Sequence, residues 1–124
     1  MKTAIAATLA ALVTLQLPAT PESALVRDYI DTYNRADLAA MKAFMSEHAT
    51  EAALRRRTDA ERKAAQEQLH SELGHVTVTG VESPVAGTLN VDVDGETGRH
   101  ATFVFTLTGT PPRIDGLTIK LARE

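Results

Sequence analysis

Between Pro21 and Leu73 the apolar residues recur every three or four positions, and beyond Gly74 they recur every second position. That change of period predicts helices followed by strands. In the first helix Leu25, Val26, Tyr29, Ile30 and Tyr33 form a stripe wide enough to face a core. Thr20 ahead of Pro21 is a fair N-cap with proline at the first helical position, and Asn34 can end the helix. Asp37 can cap a second helix that sets Leu38, Met41, Phe44 and Met45 on one side. A short helical piece around Glu51 to Arg56 follows. Thr58 and Glu61 then form a capping box, opening a helix that runs to Leu73, where Gly74 supplies the left-handed residue that stops it.

The strand half reads "HVTVTGVES", "TLNVDV", "HATFVFTLTG" and "RIDGLTIKLA", rich in valine, threonine, isoleucine and phenylalanine. Strand parity puts Val76 and Val78 on one face, as it does Leu89, Val91 and Val93. Ala101, Phe103, Phe105 and Leu107 share it, with Leu117, Ile119 and Leu121. Threonines, Asn90, Asp92 and Lys120 take the other face. Ser83–Pro84, Asp94–Gly95 and Thr110–Pro111–Pro112 mark turns. The fold class expected is α+β, with N-terminal helices packed on one face of an antiparallel sheet.

The opening of the chain changes the domain count. One lysine precedes an apolar stretch from Ala4 to Leu17, closed by Pro18, Ala19, Thr20 and Pro21. This is the pattern of a secretory signal peptide over residues 1–19, with cleavage after Ala19 and an exported domain over residues 20–124. The apolar run is shorter than the ~20 residues a membrane span needs, so no stable membrane insertion is expected after cleavage. The chain has no cysteine, which excludes disulfides, thiol nucleophiles and thiolate metal sites. Its net charge of −3 is a poor match to nucleic acid.

Chemistry is sparse. Every inward strand set is apolar, whereas a general base needs a titratable group held in a pocket. The polar atoms expected to reach the interior are the hydroxyls of Tyr29 and Tyr33. A pocket lined by Tyr29, Tyr33, Phe44, Phe103 and Phe105 is the candidate ligand site, against the plainer reading of these aromatics as core. Asn90 to Gly95 matches the first half of a calcium loop, but Ala101 stands where a glutamate is required. His70 and His75 straddle the helix stop without a third ligand, and His48 belongs to a solvated helix face. No metal, cofactor or catalytic residue is expected. Arg55, Arg56 and Arg57 read as punctuation between helices, because the run beyond them mixes Glu61, Arg62, Lys63, Glu67 and Glu72.

The stretch "ALVRDYIDTYNRADLAAMKAF" resembles the opening of nuclear transport factor 2-like (SnoaL-like, ketosteroid-isomerase-like) domains. "ERKAAQEQLHSELGHVTVTGV" is similar to a segment in N-terminal accessory domains of some exported bacterial serine hydrolases and peptidases. The resemblance implies a cone-like, cystatin-like α+β roll whose curved sheet and helices enclose a pocket. It also implies a homodimer through the outer sheet face, which the threonines, Val104 and Val81 would line. The function expected is non-catalytic, either protein interaction or binding of a small apolar ligand. The alternative is a small isomerase- or cyclase-type enzyme with Tyr33 and Asp37 at the pocket mouth. No hydrolase activity is carried over.

Overall fold

The structure is a computed structural model that describes residues 20–122, so the expected leader lies outside the described residues. Four helices lead into four strands: α1 (Pro21–Asn34), α2 (Leu38–His48), α3 (Glu51–Arg55), α4 (Asp59–Leu73), β1 (Val76–Glu82), β2 (Thr88–Gly95), β3 (His100–Thr108) and β4 (Arg113–Leu121). The fold is α+β. Each helix begins on a side chain able to accept a backbone N–H. Thr20 accepts from Ser23, Asp37 from Ala40 and Thr50 from Ala53. At α4 the capping box is reciprocal, Thr58 Oγ1 accepting from Glu61 N at 3.1 Å and Glu61 Oε1 accepting from Thr58 N at 2.7 Å. Gly74 ends α4 with φ +66° but an extended ψ of −144°, so the stop uses glycine's positive φ without a left-handed helical residue.

The strands pair in sequence order as an antiparallel meander. Two bulges change which residues face the helices. In β1 the register slips between Val78 and Gly80, so Val81 comes opposite Val91 and packs on the core. Val81 is therefore not part of the outer face, as strict alternation implied. In β4 the register slips at Thr106/Leu107, which places Ile114 opposite Leu107 and buries it completely while Leu117 stays on the same side. The inward set of β4 thus starts at Ile114, and its far end fades, Leu121 being 36% exposed. The turn expected at Asp94–Gly95 lies just beyond it, since Gly95 still bonds across the hairpin to Arg99.

The core joins the α1 stripe to the sheet. Val26, Tyr29, Ile30 and Tyr33 meet Val91, Phe103, Phe105 and Ile114. The rings interlock edge to face, Tyr29 standing 5.3 Å from Phe105 and 5.9 Å from Phe44. Those spacings lie in the favourable range for aromatic pairs. The end of α1 is also joined to β1 by a polar clasp. Asn34 Nδ2 donates to Val76 O and Val76 N donates to Asn34 Oδ1, both at 2.9 Å, as a neighbouring strand would.

Candidate functional site

The space under α4 is filled at one end and open at the other, for a reason visible in its composition. Its large apolar residues are Leu69 and Leu73, both toward the C-terminus. There Gly95 of β2 lies so close that a β-carbon on it would sit 2.6 Å from Leu73 O. Thr97 Oγ1 donates to Glu72 O at 2.7 Å and Tyr33 Oη to Gly74 O at 2.9 Å, which pins that end. The N-terminal half of α4 lines the space opposite β4 with Ala60, Ala65, Gln66 and the polar Arg62 and Lys63, and carries no large apolar side chain to fill it. A cavity of about 620 Å³ results, bounded by α2, α3, α4 and β4. That volume suits a small organic ligand.

The cavity is layered. Tyr29, Met41 and Ile114 form a buried floor, and Leu38, Met45, Ala53 and Leu117 form half-buried walls. Methionine side chains adapt to a ligand's shape at low rotamer cost. On one wall Gln66 Nε2 donates to the Tyr29 hydroxyl at 3.0 Å, and Gln66 Oε1 is buried without a partner. Turning the amide over would exchange donor for acceptor and still leave one buried polar atom unpaired. The mouth is basic, with Lys42, Arg56, Arg57, Arg62 and Lys63 around it and one carboxylate, Asp59, among the described lining residues.

Asp59 bridges Arg62 at 2.5 Å and Lys42 at 3.2 Å, and these hydrogen bonds hold its carboxyl below the usual range. Arg62 also donates to Leu54 O and Arg57 O at 2.9 and 2.8 Å, which closes the end of α3 onto α4. Arg56 donates to Asp115 O. Arg55 bonds Glu51 one turn back on α3, the helix-surface pairing its spacing allows. The three arginines therefore divide: Arg55 stays on the helix surface, while Arg56 and Arg57 reach the cavity mouth.

Of the five aromatics expected to line a pocket, Tyr29 lines this one. Tyr33, Phe44, Phe103 and Phe105 are brought together with it, but as packed core beneath and beside the cavity. The lining residues outside the expected five include Met41, Met45, Leu117 and the basic rim, and Ile114, which strict alternation put on the other face. The enzyme alternative named Tyr33 and Asp37, and both are engaged in holding the fold. Tyr33 bonds the Gly74 carbonyl, and Asp37 caps α2. His70 stacks on the Tyr33 ring at 4.2 Å, with its Nε2 against Tyr33 O at 2.9 Å rather than against the phenol. His48 is half-buried against Phe44 at 4.5 Å, so its helix face is not fully solvated. Asp92 and Asp94 of the calcium-like stretch bond Thr102 and His100 across the hairpin. Among the described residues no group of three His, Cys, Asp or Glu side chains could hold a metal ion. No helix there is long and apolar enough to cross a membrane.

Burial raises both phenols. Tyr29 is pushed from 10.0 up to about 12, with the Gln66 hydrogen bond opposing, and Tyr33 is raised by burial first and by nearby Tyr29 and Glu96 second. A folded-state pKa above the unfolded value means that stability is intact below pH 10 and falls as pH climbs toward 12, where the unfolded chain alone releases its proton. Since the chain has only these two tyrosines, tyrosinate absorbance should stay low at pH 10 and rise together with loss of the circular-dichroism signal. Half-ionisation near pH 10 in a still folded chain would show that the rings are not buried.

No protein-family model matches the sequence, and no curated protein matches it at a significant level.

Proposed function

We propose that the chain is an exported, non-catalytic α+β domain of the nuclear transport factor 2-like type that binds a small apolar molecule between α4 and β4. The observation that carries the binding role is an open cavity, with Met41 and Met45 in its lining, beside a packed aromatic core. Apolar surface left open to water gains from being covered, by about 25 cal/mol per Å². The order of helices and then a four-stranded meander, with the pocket between the two layers, supports the family reading. Its export rests on the leader pattern of residues 1–19.

Nile red, a neutral dye that fluoresces in apolar surroundings, tests the reading. The full chain should bind it saturably. Ala65→Phe, which fills the cavity from its half-buried position on α4, should abolish binding while the protein still melts cooperatively. Absence of saturable binding, or equal binding by a folded Ala65→Phe variant, would overturn it.

A further inference from the structure

We infer that the ligand is an amphiphile with a carboxylate head, its hydrocarbon body in the cavity and its head at the basic mouth. This rests on reading the cavity as a binding site, and adds to it the chemical class of the occupant.

The mouth concentrates charge that the chain as a whole does not carry. The net charge is −3, with 13 lysines and arginines in all, yet five of the 13 line this one cavity against a single aspartate. Asp59 is already engaged by Arg62 and Lys42. Arg62 is further committed to the carbonyls of Leu54 and Arg57. These three side chains form a closed structural unit. Arg57 and Lys63 remain on the rim without a side-chain partner among the described residues, and Arg56 uses a single guanidinium nitrogen on Asp115 O. Three cations with unused donors therefore surround the opening. Such an opening attracts an anion and repels a cation.

The layering separates this from a generic anion patch. Arg56, Arg57 and Lys63 are exposed, whereas Met41 is buried and Met45 and Leu117 are half-buried, so one molecule meets both sets only if its charge is at one end. A free inorganic anion would leave the apolar walls uncovered. A neutral hydrocarbon would cover them and leave the rim donors to water. A guanidinium fork matches a carboxylate with two parallel hydrogen bonds, and the α4 N-terminus at the mouth has the same polarity. Arg57 and Lys63 are the head-binding residues in this arrangement, with Arg56 beside them.

Displacement of Nile red from the full chain by three ligands of one chain length tests the assignment: decanoate, decanol and decyltrimethylammonium. Decanoate should displace the dye at about tenfold lower concentration than decanol, as expected for a charged hydrogen bond, and decyltrimethylammonium should be the weakest. The double variant Arg57→Gln/Lys63→Gln should bring decanoate to the level of decanol while leaving decanol unchanged. Raising the salt concentration should narrow the same gap. Decanol equal to or better than decanoate, or a decanoate preference that survives the double variant, would overturn the inference. In either case saturable dye binding blocked by Ala65→Phe would leave the cavity reading standing, whereas no dye binding would remove both. Both substituted residues are exposed and unpaired among the described residues, so loss of fold is not expected, and the unchanged decanol response controls for it.

Discussion

Phe103→Ala should lower the unfolding free energy by about 3–5 kcal/mol, the usual cost of truncating a buried aromatic. Phe103 is fully buried at the centre of β3 and opposes both Val91 of β2 and Ile119 of β4. Its ring meets Tyr29 at 6.3 Å, Tyr33 at 6.0 Å and Phe105 at 6.4 Å, so truncation removes one ring from several pairs at once. The void would lie between α1 and a sheet held rigid by ladders on both sides, where collapse is limited. Denaturant titration should show a lower midpoint with a similar slope. A loss below about 1 kcal/mol would mean that Phe103 is not at the heart of the core.

Asn34→Ala should cost about 2–5 kcal/mol, although it removes little apolar area, because two backbone groups of Val76 would each be left without a partner. The side chain occupies the place of a further strand beside β1, donating to one group and accepting from the other. Asn34→Asp is the sharper comparison. Its carboxylate can still accept from Val76 N but offers no donor and sets a negative charge against Val76 O. It should lose nearly as much as alanine. Full stability of the aspartate variant, measured by the same titration, would show that the clasp is not bidentate.

Much of the fold was legible because its signals are local. A capping threonine at position 58 with glutamate at 61 needs no knowledge of the rest of the chain, and neither does the switch from a helical to a strand period at Gly74. Parity failed where position depends on a partner strand. Val81 and Ile114 changed face through bulges that show only once β1 and β4 are laid against their neighbours. The candidate site was less legible. The five aromatics lie together in the core, where their size makes them fill space, and a cavity forms where filling side chains are missing. The usable signal was the distribution within α4, with no large apolar residue before Leu69. Arg56 and Arg57 illustrate the same limit: along the chain they read as punctuation between helices, and only the third dimension brings them to the cavity mouth.

The clasp at Asn34 also bears on self-association. A four-stranded meander has two edges, each able to template strand addition from another chain. Along β1, Asn34 occupies backbone groups at one end and the bulge bends the strand. Along β4, Thr50 N takes Ile114 O, Arg56 takes Asp115 O, and Ala49 adds a parallel bridge to Ile114. Both edges are thus plugged near their first residues by segments from the helical half. Variants that loosen the helices, Asn34→Ala among them, should expose the edges and form aggregates by strand pairing before the sheet itself unfolds.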